Sequence, residues 1–489
     1  MTGERRVGRN AIFAVLAVAV SAYALLQSLV VPVLATIQAS LHTSQNTVTW
    51  VLTAYLLSAS VFTPIAGRLG DMWGKDRMLV ACLGALALGS LLAAVATSIG
   101  VMIVARVIQG IGGGVIPLSF GIIRDEYEPE RVAGAVGTVA GLTAAGSGIG
   151  LVLAGPIVHS LNYHWLFWIP MVVNAAAMVA ARYVIPPSPT RAEGQLSWLA
   201  IGLLSSWLVA LLVPVSEAPT WGWGSPRVLG LLAAAVILFV AWIVVESRAR
   251  HPLIDMKMMR LPIVWTTNLV AFLFGIGLYA TMAFIPEFMQ TPTSAGYGFG
   301  ASITHSGLLM LPLGAVMFVV SLLSGRLTVR FGGKALLVTG SVAMVASFLL
   351  LTFAHDDQWQ LVTALAIQGL GFGLAFAAMS SLVVEGVPAS QTGVASGMNA
   401  NIRTVGGSIG AAIASTIITS GVATGEFPKA SGYDHGFAFL AVTAIAGALA
   451  SLLVPAVRRH LGAQEYDAAQ PHAELGMVAA GTLIGSDPE

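Results

Sequence analysis

The chain has 489 residues, 56% of them hydrophobic and only 9% charged, with a net charge of +1. Soluble domains carry about 25% charged residues, so a chain this long could not cover a water-facing surface and must lie in lipid. No basic tract or aromatic-basic interleaving suggests a nucleic-acid partner, and none is expected, while the single cysteine, Cys82, excludes an intramolecular disulfide.

A membrane-spanning helix needs about 20 apolar residues. Segments 11–33, 48–67, 78–97, 101–123, 133–157, 165–185, 197–215, 227–246, 264–286, 303–325, 335–353, 359–383, 394–421 and 436–456 meet that length, which predicts an all-α membrane protein with fourteen spans. The first follows a short basic stretch, Met1 to Asn10, and is too long for a signal-peptide core, so it reads as an uncleaved span. Two segments, 133–157 and 394–421, are rich in glycine. The cations test the count. Arg5, Arg6, Arg9, Arg68, Lys75, Arg77, Arg124, Arg131, Arg182, Arg248, Arg326, Arg330, Lys334 and Arg458 fall on one side of the predicted topology. Arg227 and Lys429 fall on the other, and Arg106 and Arg403 lie inside spans. By the positive-inside rule the first side is cytoplasmic and holds both termini. A bacterial inner membrane is the expected location. Trp221 and Trp223 sit in an external loop, where interfacial aromatics gather.

The chain also repeats itself. Gly67-Arg68-Leu69-Gly70-Asp71-Met72-Trp73-Gly74-Lys75 returns as Gly325-Arg326-Leu327-Thr328-Val329-Arg330-Phe331-Gly332-Gly333, with Val329 in place of Asp71. Gln109-Gly110-Ile111-Gly112 returns as Gln368-Gly369-Leu370-Gly371. Gly134, Gly137, Gly141, Ala145 and Gly148 map onto Gly393, Ser396, Ala400, Thr404 and Gly407, one helical face in each copy. Small residues on a shared face let membrane helices approach closely. Spans one to six therefore match spans nine to fourteen, and spans seven and eight have no counterpart. The division is a cytoplasmic N-terminus (1–10), a six-helix bundle (11–187), a linker with two extra helices (188–260), a second bundle (261–456) and a polar cytoplasmic tail (457–489) expected to be disordered.

The Gly67–Leu79 segment resembles the cytoplasmic signature between the second and third spans of the major facilitator superfamily. Arg106-Val107-Ile108-Gln109-Gly110 resembles that superfamily's fourth-span motif, and Gly155-Pro156 its fifth-span export motif. The fourteen spans, the Trp165/Phe167 pair and the Gly393–Gly410 stretch resemble its drug/proton antiporter branch. The resemblance implies a proton-coupled multidrug exporter working by alternating access, without cofactor, monomeric, with amphipathic small molecules, lipid and protons as partners. The chain departs from the pattern in two places. His159 and Ser160 stand where the export motif closes with glycines. Leu26 stands where this branch carries a first-span aspartate.

Candidate functional residues follow. No P-loop, metal-ligand cluster or catalytic constellation is present in the sequence, which points away from an enzyme. Gly67, Asp71, Gly74, Lys75 and Arg77 form a conformational latch by the resemblance, Asp71 bridging the bundles. As a plain carboxylate before a helix, Asp71 also fits a capping role. Its candidate partners are Arg77, Arg124 and Arg131. Arg106 either snorkels to the outer interface or faces the bundle interior with Gln109, Gly110 and Gly113. The resemblance gives it a part in proton coupling. Arg403 lies too deep to snorkel and has Asn399 and Asn401 nearby. Glu287, after Pro286, is either an exposed loop glutamate or a proton carrier. Gly110, Gly148, Gly155, Pro156, Gly393 and Gly407 are candidates for helix packing. Tyr23, Gln27, Tyr55, Gln109, Asn174, Asn268, Phe272, Tyr279 and Met282 have the depth to line a substrate cavity. With few acids in the membrane, neutral or weakly charged substrates are expected over dications. Export of an endogenous metabolite or lipid, and a non-transporting receptor or assembly role on the same fold, are the alternatives.

Overall fold

The computed structural model describes residues 8–189, 197–249, 252–420 and 427–455. The expected tail, 457–489, lies outside these. The first half contains α1 (Arg9–Leu29), α2 (Gln45–Trp73), α3 (Lys75–Ala94), α4 (Ile99–Glu126, with a 3-10 turn at Ile111–Gly114), α5 (Pro129–Ser160) and α6 (Trp165–Val184). Two helices follow, α7 (Trp198–Trp221) and α8 (Pro226–Arg248). The second half contains α9 (Pro262–Gln290), α10 (Ile303–Phe331), α11 (Gly333–Phe353), α12 (Gln358–Glu385), α13 (Thr392–Ile418) and α14 (Ala430–Leu453).

Among the described residues thirteen helices are long and apolar enough to cross a membrane. The fourteenth predicted span is α13, which has the length, 27 residues, but not the hydropathy. Its Ser396, Asn399 and Asn401 are buried in the protein and not turned to lipid, so the helix does not need an apolar surface of its own.

Local chemistry sets the helix ends. Ser44, Ser197, Ser225 and Ser302 each cap a helix by accepting the N–H three residues on, and Asp357 with Gln360 closes a capping box on α12. The repeated Gly-Arg-Leu motif was expected to be loop from Gly67 onward. The structure keeps it helical to Trp73 in the first copy and to Phe331 in the second. The breaks come at Gly74 (φ 112°) and Gly332 (φ 83°), where the left-handed backbone favours glycine.

The two halves have separate apolar cores. One gathers α1 to α6 around Leu16, Tyr55, Leu86 and Phe167. The other gathers α9 to α14 around Phe288, Phe348, Phe372 and Phe437. They meet along two seams that the internal repeat relates. In one, α5 lies on α10: a Cβ on Gly137 or Gly141 would press on Ser324 or Ser321, and one on Gly148 would lie 3.2 Å from Gly314 Cα. In the other, α2 lies on α13: a Cβ on Gly397 would lie 3.1 Å from Thr63 O. Close backbone approach, with dispersion on both faces, is how helices associate in lipid.

The inserted pair is not peripheral to both seams. α7 packs beside α2 and α13, sharing a third apolar cluster with Val61, Ile65, Val394 and Met398. Ser216 hydrogen-bonds Thr53 of α2 at 3.1 Å. Just past the end of α7, Trp223 Nε1 donates to Thr416 of α13 at 2.8 Å. The outer helix, α8, leaves Val236, Ile237 and Val240 exposed, as a lipid-facing surface should be.

Gly275 shows how tightly α9 and α13 pack, since a Cβ there would meet the Arg403 carbonyl and come within 3.1 Å of Gly407 N. Gly275→Leu should destabilise the second half by about 1–3 kcal/mol through overpacking. Gly202→Leu on α7, where nothing lies within 4 Å, should leave stability unchanged. Thermal unfolding of the purified variants in detergent reads both.

Candidate functional site

The last two turns of α2 carry the first cross-half contact. Asp71 is fully buried, and its carboxylate accepts the N–H of Gly393 (3.3 Å) and of Val394 (3.0 Å) in the first turn of α13. Those amides have no partner within their own helix, and the positive end of the helix dipole lies there. The approach requires glycine on both sides. A Cβ on Gly67 would lie 2.5 Å from Gly393 O, and one on Gly393 would lie 2.8 Å from Gly67 O.

Lys75, also fully buried, places Nζ 2.8 Å from Asp125 and 4.0 Å from Asp71. Its charge is thereby shared between two carboxylates of the first half. Arg124 reaches the other way and donates to Val384 O and Thr392 Oγ1, each at 2.6 Å. Two side chains of the first half thus hold the α12–α13 corner of the second.

The expected arginine partners of Asp71 are corrected here. Arg77 is exposed at the start of α3, Arg131 pairs with Glu128 at 3.5 Å, and Arg124 binds oxygens of the second half. Backbone amides take their place. Gly74 serves as the helix break.

The repeat-related corner is built differently. Gly325 stands against Gly134, at the same end of the molecule, beside a groove of about 560 Å³ lined by Asn10, Tyr127, Arg131 and Arg326. Glu128 pairs there with Arg9 at 2.8 Å, and that guanidinium holds its carboxyl below the usual range.

Between the halves lies a cavity of about 380 Å³. Tyr23, Gln27, Tyr55, Tyr279, Met282, Gly148, Arg106 and Arg403 line it, with Phe376, Ser380, Asn399 and Asn401. Arg106 is completely buried. Its Nε donates to Val51 O and its Nη1 to Gln109 Oε1, both at 2.8 Å, and the guanidinium lies 4.3 Å from the Tyr55 ring centroid. It does not snorkel. Arg403 lies 4.8 Å over the Phe376 ring.

Other predicted cavity residues sit behind the wall. Gln109 donates to Ser90 at 3.1 Å and orients Arg106. Asn174 is buried in α6 and donates to Pro170 O. Asn268 accepts from Asn399 at 2.9 Å, steadying a residue that does face the cavity. The Phe272 backbone lies against Gly406, whereas Tyr279, which does line the cavity, rests its ring on Gly407. Gly110 admits Ser58 of α2, and Gly155 admits Thr304 of α10. Pro156 is carried within α5 without ending it. Glu287 lies on the exposed side of α9 near its far end and does not line the cavity. The position seven residues past Gly369 of the repeated Gln-Gly-Leu-Gly motif was the signal for Phe376. Asp125, adjacent to Arg124 at the end of α4, was the signal for the Lys75 partner.

A sequence model of the Major Facilitator Superfamily matches residues 16–411, and again 267–484. Among curated proteins, the chain is 32% identical over 369 residues to the multidrug transporter protein MdtP of Bacillus subtilis, covering 74% of this chain and 66% of that one. It is 30% identical over 390 residues to the tetracenomycin C resistance and export protein of Streptomyces glaucescens, covering 79% and 71%. It therefore spans about two thirds of their length. The fold is similar to that of the human organic anion transporter MFSD10, with a TM-score of 0.64 at 17% identity over 92% of this chain and all of that one. It is also similar to the nucleoside transporter NupG, with a TM-score of 0.57 at 16% identity over 91% and 100%. These two likenesses concern the fold alone.

Asp71→Asn keeps the side chain's shape but removes the charge that assists both hydrogen bonds. The α2–α13 corner should loosen by about 2 kcal/mol, roughly 30-fold in its opening equilibrium. Maleimide labelling of a cysteine introduced at Ser380, applied from the arginine-rich face, should rise accordingly. Cys82 is buried and contributes little background. Unchanged labelling would remove Asp71 from any closing role.

Proposed function

Because the chain belongs to the Major Facilitator Superfamily, a family of membrane transporters and not enzymes, we propose that it exports amphipathic small molecules across the plasma membrane by alternating access. The observation that carries this reading is the cavity between two repeat-related halves, closed at its arginine-rich end by hydrogen bonds of Asp71 and Arg124 to the second half. Each half has its own core, so the halves can rock as bodies. The arginine-rich face is assigned to the cytoplasm by the positive-inside rule. Relatives that bear multidrug and antibiotic-export names support the direction of transport and the substrate class.

In this reading Asp71, Gly67 and Gly393 hold the state closed to the cytoplasm. Substrate binds against Tyr23, Tyr55, Tyr279 and Phe376. Proton entry supplies the energy, which requires proton and substrate to favour different conformations. Arg106 is the proposed coupling residue. It joins α4 to α2 through Val51 and faces the cavity, so a change in the charge beside it is felt by both helices.

Inverted membrane vesicles test the proposal with a panel of anionic, neutral and cationic amphipathic dyes. At least one dye should accumulate when a proton gradient is imposed, and nigericin should abolish the accumulation. Arg106→Ala should reduce the rate by about tenfold or more, the cost of a charged hydrogen-bonding group. Accumulation of no dye, or accumulation indifferent to nigericin, would defeat it.

A further inference from the structure

The cavity has a charge pattern that the exporter reading does not use. Its lining contains two guanidinium groups, Arg106 and Arg403, and among the described residues no aspartate or glutamate. Nor does either arginine form an ion pair with a carboxylate elsewhere among them. Acids do occur in the spans, but Asp71 and Asp125 are engaged with Lys75, Glu246 accepts the Leu253 N–H at 2.9 Å, Glu217 accepts from Thr220 at 3.0 Å, and Glu287 is exposed away from the cavity.

Removing a cation from water costs several kcal/mol unless a counter-charge and hydrogen-bond acceptors replace the solvent. Arg106 is only partly compensated. Of its five N–H donors, Val51 O and Gln109 Oε1 take one each, and Nη2 is buried with no acceptor. Arg403 has a ring face beneath it, which stabilises the charge and leaves the guanidinium edge to the cavity. Both groups line the same cavity as Tyr23. An acceptor carrying negative charge would complement both groups.

The rest of the wall gives the shape of the molecule. Leu56, Leu278, Met310 and Met317 make much of it apolar, and Tyr279 and Phe376 add flat faces. A cavity of about 380 Å³ is far larger than a simple inorganic anion requires. We propose that the transported molecule is an amphipathic aromatic acid, whose carboxylate, sulfonate or phenolate sits between Arg106 and Arg403 while its ring system lies against the apolar wall. A cationic drug meets two positive charges and no counter-ion in the same place, so the two arginines act as specificity determinants by repulsion as well as attraction. The sequence led to an expectation of neutral or weakly charged cargo, and the paired guanidinium groups move it to anions. This inference rests on the exporter reading for its site, but the binding preference is measurable without transport.

Three dyes on one xanthene scaffold provide the test: fluorescein as the anion, its methyl ether methyl ester as the neutral form, and tetramethylrhodamine ethyl ester as the cation. Binding to the purified full-length protein is followed by fluorescence polarisation in mildly alkaline buffer. Fluorescein should bind at least about tenfold more tightly than the cation, as expected for one charge-assisted contact. Arg403→Gln should cut that anion-to-cation ratio by about tenfold, and Arg403→Lys should keep most of it. A merely structural role for Arg403 would weaken all three dyes alike and would overturn the proposal. So would equal or tighter binding of the cation by the unaltered protein, or binding of none of the three. Proton-driven export that favours the cation would overturn this inference and leave the exporter reading standing. An anion preference without proton-dependent transport would do the reverse.

Discussion

The contact on which the arrangement depends is a carboxylate that crosses from one half of the molecule to cap a helix of the other. Asp71 reaches the amides of Gly393 and Val394 only because Gly67 and Gly393 allow the two backbones to touch. In lipid this is a favourable use of a buried charge. The acceptor meets donors that would otherwise be unsatisfied, and the helix dipole and Lys75 supply the counter-field. The contact joins two helix termini, the end of α2 and the start of α13.

The duplicated fold places two such corners at the same face, and they differ. At Gly134 and Gly325 the backbones approach closely, but the second copy of the motif carries Val329 where the first has Asp71. Among the described residues one seam therefore has packing plus a charged cap, and the other has close packing with a wide groove beside it. α7 and the turn that follows it add to the asymmetry by bonding to the two helices of the capped seam, Ser216 to Thr53 and Trp223 to Thr416. A helix pair inserted between duplicated halves thus reinforces one of their two junctions.

The cavity follows from the same economy. A membrane-embedded protein tolerates polar groups where they line a cavity or pair with one another. Here Gln109, Ser90, Val51 and Tyr55 hold Arg106 in one orientation, and Asn268 and Gly407 do the same from behind for Asn399 and Tyr279. The supporting residues are as buried as those they support. Sequence depth alone could not separate Gln109, Asn174 and Asn268 from true lining residues.

Hydropathy and repetition determined the span count, the two halves and the inserted pair, because lipid imposes length and apolarity on each helix separately. α13 counts directly by its length, glycine-rich as it is, and its match to α5 agrees with that count. The identity of Asp71 as a special residue was also legible, since its loss in the second copy made it visible. Its partner was not legible, because backbone amides leave no trace in side-chain identity. The same holds for the pairing of Lys75 with Asp125 and for Arg124 reaching Val384 and Thr392. Which polar residues face the cavity was decided by helix rotation within the packed halves. That rotation brought Arg106 and Arg403, far apart in sequence and both without a carboxylate partner among the described residues, to the same enclosed space.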